Sequence, residues 1–384
     1  MSVLQRYFTS QIMKAVFFVL AAFLALFAFF DLVSEISGIG RGKYKVQHAF
    51  LYVLMNIPGY TYELMPVAVL IGTIYVLARF ASNSEYTIMR VSSLSTSQAC
   101  LILVKIGAAF LVFTCVVGEL ITPYTSTRAT EFRARKMERD MKVEGRFRSG
   151  VWSKDMVRAG GARGDVIGSR FINIRALKAD RTLEGIYLYE FDPHRQLSRM
   201  VFAKTGHYLG DHTWQLNQVS ESVVTPPAKR GGPRFPVGAP RFASRTMDTQ
   251  ALSSDLTPNI LSVLSVDAAR MSAYDLAVYN RHMEANKQDA TGYQIAFWKK
   301  IVYPFSVFVM MALALPFAYL HFRAGGISIK IFSGIMIGVL FLLLNSLFSH
   351  LGLLNTWPAF FTASLPSFLF LLLAAGALWW VERH

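Results

Sequence analysis

Two groups of basic side chains stand beside long apolar segments of the sequence, and they are the residues best suited to bind a ligand. Arg41, Lys43 and Lys45 follow the first such segment, while Lys299 and Lys300 precede a later one. Guanidinium and ammonium groups form strong, charge-assisted hydrogen bonds with phosphate oxygens. We therefore expect both groups to hold anionic phosphates at a membrane surface. The residue types leave a second interpretation open, in which all five are ordinary anchors for lipid headgroups.

Motifs for catalysis are missing from the sequence. It contains no GxxxxGK(S/T) loop for a nucleotide and no HExxH, CxxC or EF-hand spacing for a metal. Gly160, Gly161 and Gly164 predict a plain loop, and His207 and His212 are two lone histidines in a predicted strand–turn region. We predict no catalytic residue, no metal site and no cofactor bound by the chain itself. If the protein does active work, its energy must come from a partner or an ion gradient.

The polar segment that begins at Ser82 combines a helix start with apolar side chains. Ser82 or Ser84 could cap a short helix, and Glu85 would then lie favourably in its first turn. Tyr86 and Met89 would give this helix an apolar surface. An amphipathic helix of this kind either lies in the membrane interface or docks against a partner ATPase. The residues alone leave both interpretations open.

The overall composition is that of a membrane protein. Of the 384 residues, 53% are hydrophobic and 16% are charged, whereas soluble globular chains carry about 25% charged residues. The net charge of +15 favours an anionic membrane surface or ligand. Nucleic acid is the weaker choice, because no nucleic-acid-binding motif accompanies the charge, and we expect no nucleic-acid partner. Cys100 and Cys115 share one apolar run, so they cannot cross-link a soluble domain.

Six apolar runs, each long enough for about one crossing of a bilayer, set the architecture. They are residues 15–30, 59–78, 99–121, 301–320, 331–348 and 357–381. Lys and Arg in the short loops place both termini in the cytoplasm. The long polar stretch after the third run then lies on the opposite side, which is the periplasm of a Gram-negative cell. Arg41, Lys43 and Lys45 are an exception to this charge rule, and the exception argues against a purely topological role for them.

The long insert carries short alternating segments that predict β strands. They lie at residues 171–174, 186–189, 200–202 and 214–219, and turn residues separate them. A charged stretch at 131–144 predicts a helical continuation of the third run, and a proline-rich stretch at 225–240 predicts a loop. Ser272 and Asp275 form a capping box for a helix that starts near Ala273.

These patterns predict an α-helical membrane protein with six transmembrane helices, three before and three after an inserted periplasmic all-β domain. Residues 1–122 would hold the first three helices and the short cytoplasmic helix at about 82–97. Residues 123–270 would form the β domain. Residues 271–384 would form a juxtamembrane helix and the last three transmembrane helices.

Two stretches of the sequence resemble the permeases of lipopolysaccharide export. Residues 84–92 look like the coupling-helix segment of that family. Residues 267–317 are most similar to its G-type subunit, and the matching residues are Leu276, Tyr279, Tyr293, Gln294, Trp298, Lys299, Lys300, Pro304, Ser306, Val307, Met310 and Met311. The resemblance covers essentially the whole chain, including the placement of the insert.

The resemblance implies a non-catalytic permease subunit of an ATP-driven ABC transporter that extracts lipopolysaccharide from the Gram-negative inner membrane. Its partners would be a homologous F-type permease, a homodimeric cytoplasmic ATPase that holds ATP and magnesium, and a single-span protein of a periplasmic bridge. The insert would be a β-jellyroll. Glu85, Tyr86, Met89 and Arg90 would contact the ATPase. The periplasmic end of the first span and the fifth span would contact the lipid.

One departure from the family concerns the end of the first span. The family carries lysines there for lipid phosphates, whereas this sequence has Asp31 and Glu35. We therefore assign the phosphate-binding role to Arg41, Lys43 and Lys45, with Lys299 and Lys300 as further candidates.

Other functions fit parts of the same pattern. The chain could be the F-type partner of the same complex or a subunit of another lipid or lipoprotein exporter. A different class is a membrane sensor with a periplasmic ligand domain. A sensor is expected to carry a cytoplasmic signalling domain, and the sequence offers none beyond short loops.

Overall fold

The helices and strands are those of a computed structural model of the chain. It describes residues 3–83, 85, 96–137, 150–158, 166–178, 182–194, 196–225, 241–258, 261, 267–286, 288–318, 327–355 and 357–383.

Within these ranges, six helical segments are long and apolar enough to cross a membrane, and each contains one of the six predicted runs or most of it. We number them spans 1 to 6. Their bounds are Gln5–Gly38, Val46–Ser82, Leu101–Arg133, Thr291–Ala318, Ile327–Asn355 and Ala359–Trp380. The spans extend beyond the predicted runs because polar residues at the run ends continue the same helices.

The helices themselves have the following bounds. Before the insert they are α1 (Val3–Glu35), α2 (Val46–Ser82), α3 (Thr96–Val116) and α4 (Thr122–Lys136), and a π-helical turn at Val117–Ile121 joins the last two. After the insert they are α5 (Ala273–Ala285), α6 (Thr291–Val302), α7 (Ser306–Ala314), α8 (Ile327–Asn355) and α9 (Ala359–Arg383). Span 4 is broken into short pieces around Pro304 and Pro316, since proline lacks the backbone N–H that a helix interior needs.

Span 2 is the centre of the helical part. In its most apolar stretch, 89% of the residues are buried, compared with 11% of the residues in that of span 1 and 22% in that of span 5. Helix α2 packs against α1, α4, α7 and α8. Span 2 therefore serves as the scaffold, while spans 1 and 5 present most of their surface to whatever surrounds the chain.

The insert forms one antiparallel sheet whose strands follow one another in sequence order. The strands are β1 (Val151–Arg158), β2 (Val166–Leu177), β3 (Leu183–Phe191), β4 (Leu197–Gly210), β5 (Thr213–Thr225) and β6 (Arg241–Ser253). The predicted all-β insert is thus confirmed, and the four predicted segments lie in β2, β3, β4 and β5. The proline-rich stretch at 226–240 and the glycines at 160–164 lie outside the described residues.

The sheet curls around an apolar core. Alternate side chains of β2 to β5 point inward, and Leu252, Leu256 and Leu261 cover them from the end of the insert. Trp214 in this core donates a hydrogen bond from Nε1 to the carbonyl oxygen of Leu256 over 2.7 Å. Because β2 and β6 are not neighbours in the sheet, the 2.9 Å bond from Arg170 Nη1 to the Ser253 carbonyl oxygen shows that the sheet bends back on itself.

A charged stripe crosses one end of the sheet. Arg170 Nε lies 2.8 Å from Glu190 Oε1, and Arg170 Nη1 lies 3.5 Å from Asp155 Oδ2. Arg199 then pairs with Glu190 and with Glu221. Strands β1 to β5 each contribute one of these side chains, and β6 contributes the Ser253 carbonyl, so the stripe ties together all six strands.

The local predictions around the insert hold where the structure describes them. Ser272 is the N-cap of α5, its Oγ accepting a bond from the Asp275 backbone N–H, and Asp275 accepts one from Ser272 Oγ at 2.6 Å. The third run continues as helix α4 to Lys136, with Arg135 and Glu131 paired at 3.6 Å, while residues 138–144 of the predicted helical stretch lie outside the described residues. The predicted domain boundary at 122/123 therefore falls inside continuous helix.

The end of α5 lies beside the β domain. Burial lowers the pKa of His282, against the smaller opposing effects of the negative charges on Asp155 and Asp255. In the folded state this imidazole therefore stays neutral at a pH where the unfolded chain has bound a proton.

This depressed pKa predicts a loss of stability in acid. As the pH falls below the ordinary histidine value of 6.5, the unfolded chain gains a proton that the folded chain does not bind, so the folded state loses about 1.4 kcal/mol per unit of pKa difference. We expect His282→Gln to flatten the fall in Tm between neutral pH and pH 5 of the full-length protein in detergent. The exposed His194, changed to Gln, is the control. Equal slopes in the two variants would contradict the prediction.

Candidate functional site

The three cations of the α1–α2 connection are exposed on a loop that is fastened through its backbone. The N–H of Lys43 donates to the carbonyl oxygen of Lys136, at the end of α4, over 2.9 Å. The N–H of Lys45 donates to Nδ1 of His48 over 3.0 Å. Arg41, Lys43 and Lys45 are all exposed. The loop thus presents its positive charge at the end of the spans that faces the β domain.

Lys299 and Lys300 are neighbours in sequence but serve different contacts. Lys299 Nζ donates to Ser349 Oγ of span 5 over 2.9 Å. Lys300 is only 5% exposed, and its Nζ lies 4.6 Å from the centre of the Tyr62 ring. Consecutive residues on an α-helix point about 100° apart, so the two ammonium groups face different helices. Lys299 joins spans 4 and 5, while Lys300 is buried against span 2.

Glu35, at the end of α1, is held by a complete set of donors. Arg133 of α4 forms a two-bond contact, with Nη2 3.1 Å from Oε1 and Nε 3.2 Å from Oε2. Tyr44 donates its hydroxyl to Oε2 over 3.1 Å. Burial, together with the negative charge of Glu35, raises the pKa of Tyr44, so its hydroxyl keeps the proton that it donates.

Asp31 lies one helical turn before Glu35, is half-buried and binds a tyrosine of α2. The Tyr60 hydroxyl of α2 donates to Asp31 Oδ2 over 2.7 Å. Arg270 lies with its guanidinium carbon 5.6 Å from the centre of the Tyr60 ring and donates to Asn56 Oδ1. Arg270 belongs to the 3₁₀ turn Ala268–Arg270 that leads from the β domain to α5. The acidic end of span 1 is therefore tied to span 2 and, through Tyr60, to this linker.

The linker is also tied to span 3. The π-helical turn carries Glu119, whose Oε2 accepts a 2.8 Å bond from the N–H of Ala273, the first residue of α5. A carboxylate at this position also complements the positive end of the helix dipole. In the same turn, a Cβ on Gly118 would lie 2.4 Å from a carbon of the Tyr62 ring. Only glycine allows this close approach of span 3 to span 2.

Glu85 lies at the opposite end of the helical part, just after α2. Its Oε1 accepts a 3.1 Å bond from Asn83 Nδ2, and its Oε2 accepts a 3.4 Å bond from the hydroxyl of Tyr7. The Tyr7 ring stacks on Phe80 with 5.7 Å between ring centres. Tyr7 from the start of α1 and Asn83 just after α2 thus both bind this carboxylate. Tyr86, Met89, Arg90 and the rest of the predicted helix at 82–97 are not among the described residues, apart from its two ends.

His207 and His212 of the insert have separate partners. His207 Nδ1 lies 3.3 Å from Thr182 Oγ1, and His212 Nδ1 lies 4.0 Å from Asp255 Oδ1. Beside Asp255, a cavity of about 100 Å³ opens at the charged end of the sheet. Its lining includes Arg170, Glu190, Arg199, Gln250 and Ser254.

Sequence reasoning missed the two arginines at the acidic end of span 1: Arg133, which binds Glu35, and Arg270, which lies beside Tyr60 and binds Asn56. The i,i+4 spacing of Asp31 and Glu35 was a visible signal that both lie on one face of α1. Nothing in the sequence identified Arg133 as the partner of Glu35 or placed Arg270 beside Tyr60, since both arginines come from other elements far along the chain.

The six spans, the insert between spans 3 and 4, and the linker between them match one known family. The family model described as "Lipopolysaccharide export system permease LptF/LptG" matches residues 6–383. The chain belongs to the LptF/LptG family. The predicted resemblance of the chain to this family is therefore confirmed, and the match includes the β insert as well as both triplets of helices.

Two relatives within the LptF/LptG family are similar to this chain over nearly their full length. The protein named lipopolysaccharide export system permease protein LptG of Escherichia coli K12 is 29% identical over 382 residues, which cover 99% of this chain and 98% of that protein. The LptG protein of Haemophilus influenzae is 28% identical over 379 residues, covering 98% and 97%. The similarity thus extends across the whole molecule.

Proposed function

We propose that this LptF/LptG chain is a permease subunit of an ATP-driven ABC transporter. It would extract lipopolysaccharide from the inner membrane and pass it to a periplasmic bridge toward the outer membrane. The observation that carries the proposal is the family match over residues 6–383. The names of the relatives support a G-type rather than an F-type subunit.

The energy for this transport would come from a partner. The sequence has no nucleotide-binding loop, so ATP and magnesium would be held by a homodimeric cytoplasmic ATPase. Glu85 supports a contact with that ATPase, because within the described part of the chain its carboxylate accepts bonds from Tyr7 and Asn83, which are both neutral. A cationic side chain of the ATPase would form a charge-assisted hydrogen bond with this carboxylate. Both termini and Glu85 would lie in the cytoplasm, and the β domain in the periplasm.

The lipid would bind on the periplasmic half of the helices. Spans 1 and 5 leave most of their apolar surface uncovered, so they can contact acyl chains and the F-type partner permease. Arg41, Lys43 and Lys45 on the loop, with Lys299 between spans 4 and 5, would attract the phosphates. Each CH₂ of an acyl chain buried in such a cavity contributes about 0.8 kcal/mol. Expelling several chains therefore requires work, which ATP hydrolysis would supply.

Depletion of the protein in cells tests the proposal directly. We expect lipopolysaccharide to accumulate at the inner membrane and to decrease at the cell surface, measured by membrane fractionation and surface labelling. Normal surface lipopolysaccharide after depletion would refute export. Purification with bound proteins tests the assembly, because two copies of this chain around one ATPase dimer would exclude the proposed pairing with an F-type subunit.

A charge reversal at Glu85 tests the contact with the ATPase. Loss of one partner of an interface charge pair costs about 2–5 kcal/mol, so we expect Glu85→Arg to reduce the ATPase that co-purifies with the chain at least about tenfold. The control is Asp248→Arg, on an exposed position of β6, which should leave the ATPase bound. If both variants retain equal amounts of ATPase, Glu85 does not form this contact.

A further inference from the structure

The outer face of the β sheet carries aromatic side chains where a solvent-facing sheet ordinarily carries polar ones. The inward face of the same strands fills the apolar core of the insert. On the outer face, five rings from four neighbouring strands lie together, and they are Trp152, Phe171, Tyr187, Tyr189 and Phe202. We call these five residues the aromatic platform.

Strand pairing places the platform in two rows across β1 to β4. Direct partners in an antiparallel sheet lie on the same face. The first row is Trp152, Asn173, Tyr187 and Phe202, and the second is Lys154, Phe171, Tyr189 and Met200. Neighbouring strands lie about 4.8 Å apart, so each row is about 14 Å long.

The rings of the platform contact one another and keep part of their surface open. Trp152 stacks on Tyr189 with 5.7 Å between ring centres, and Tyr187 lies 4.8 Å from Phe202. Trp152 is nevertheless 49% exposed and Tyr187 39%. These contacts restrict the rotamers of the rings, so a ligand that binds them would cause little further loss of side-chain entropy.

Basic side chains accompany the rings on this face. Lys154 is the direct partner of Phe171. Arg175 on β2 and Lys204 on β4 lie two positions beyond residues of the first row, and alternate residues of a strand point to the same face. Both are exposed. The platform therefore combines aromatic surface with hydrogen-bond donors and positive charge.

A sugar ring has the chemistry that fits such a face. One side of a pyranose presents C–H groups, which stack on the electron-rich face of an aromatic ring, and its rim carries hydroxyls that need polar partners. A protein interface fits less well, because lysine is depleted from such interfaces. A bilayer surface also fits less well, since a face that sinks into the headgroup region keeps its polar residues on the opposite side. Here Lys154 and Asn173 alternate with the rings.

We propose that the aromatic platform binds an acidic oligosaccharide, with sugar rings stacked on the aromatic faces and with Lys154, Arg175 and Lys204 beside its acidic groups. The inference deepens the proposed function and rests on it for the source of the sugar, because lipopolysaccharide carries a saccharide as well as acyl chains. The platform holds that saccharide on the side of the sheet away from the apolar core.

Calorimetric titration of the full-length protein in detergent tests the platform. The probe is the lipid-free saccharide released from purified lipopolysaccharide by mild acid. We expect saturable binding to the parent protein, weakened about tenfold or more by Trp152→Ala or Tyr187→Ala, since aromatic anchors dominate binding surfaces. Leu209→Ala removes another exposed apolar side chain, 63% exposed on β4, and should bind like the parent. No binding by the parent, or equal binding by all variants, would overturn the proposal.

Two further comparisons separate stacking from folding and from charge. Tyr187→Leu keeps apolar bulk but removes the ring, and should bind as weakly as Tyr187→Ala even if the alanine variant is less stable. A neutral maltooligosaccharide of similar length should bind the parent more weakly than the acidic saccharide. Lys154→Gln combined with Lys204→Gln should reduce that preference. Parent-like binding by Tyr187→Leu would refute stacking, and an unchanged preference would refute the role of the cations.

Other occupants of the platform would give different results. Ser220 is the partner of Phe202 on β5, and a bimane label at Ser220→Cys, with Cys100 and Cys115 changed to alanine, should not be quenched by brominated lipids in nanodiscs. Quenching would place this face on the membrane and refute the proposal. Loss of the co-purifying partner permease in Trp152→Ala, with saccharide binding intact, would make the face a protein interface and also refute it.

The platform and the proposed function can fail separately. Saccharide binding that depends on the rings, in a protein whose depletion leaves surface lipopolysaccharide normal, would refute export and keep the platform. Loss of surface lipopolysaccharide on depletion, without saccharide binding by the parent protein, would refute the platform alone.

Discussion

Methionine in place of Arg170 is expected to destabilise the β domain by about 3–5 kcal/mol, because it leaves two buried carboxylates without their cation. Asp155 is fully buried and Glu190 is 8% exposed, while Arg170 itself is 7% exposed. Burial already raises the pKa of Asp155 in spite of the arginine. Without Arg170, both carboxylates would bear the full penalty of burial or would take up protons.

Amide hydrogen exchange on the full-length protein measures this effect. A loss of 3–5 kcal/mol corresponds to exchange about 100-fold faster or more at the protected amides of β1 to β3. Arg175→Met is the matched control, since Arg175 lies on the same strand with its side chain exposed. Replacing Arg170, Asp155 and Glu190 together by uncharged residues should recover part of the protection. Equal exchange in the Arg170 and Arg175 variants would contradict the role of the stripe.

Leucine in place of Gly72 is expected to separate span 1 from span 2. A Cβ at this position would lie 2.8 Å from the backbone N and Cα of Val16, and backbone atoms cannot rotate away as a side chain can. Overpacking of this kind costs about 1–3 kcal/mol, and close helix approach in membranes depends on such small residues. We expect a Tm lower by several degrees in the full-length protein.

Span 6 supplies the control for this substitution. Gly376 is also a glycine of a membrane-spanning helix, but a Cβ added there meets no atom of the described chain within 4 Å. Gly376→Leu should therefore leave the Tm nearly unchanged. If both leucine variants lower it equally, the loss comes from glycine replacement in general and not from the contact with Val16.

The spans and most strands were predictable because their signals are local. A run of about 20 apolar residues identifies a crossing by itself, and the alternation in β3 is visible within nine residues. Strand β6 was missed because its sequence, Arg241–Ser253, has few apolar residues and many exposed side chains. Its place in the sheet follows from pairing with β5, which the segment's own sequence does not reveal.

The candidate site was predictable only as a set of residue types. Glu35 meets Arg133 across 98 positions of sequence, and Asn56 meets Arg270 across 214. No local pattern encodes such contacts. The cations at 41–45 were identified from an anomaly in loop charge, and the structure leaves them exposed. The role assigned to them, and to Glu85 with its neighbours, stays a prediction.

The central position of span 2 has a consequence for how the protein is made. Its faces are covered by α1 and α4, which are near it in the chain, but also by α7 and α8, which lie beyond the β domain. Roughly 200 residues separate Ser82 from Thr291, and at about 5–20 residues per second their synthesis takes about 10–40 s. During that interval span 2 lies in the bilayer, and the faces that later pack against α7 and α8 are uncovered. Membrane chaperones and proteases therefore have access to the uncovered faces of span 2 until spans 4 and 5 have been made.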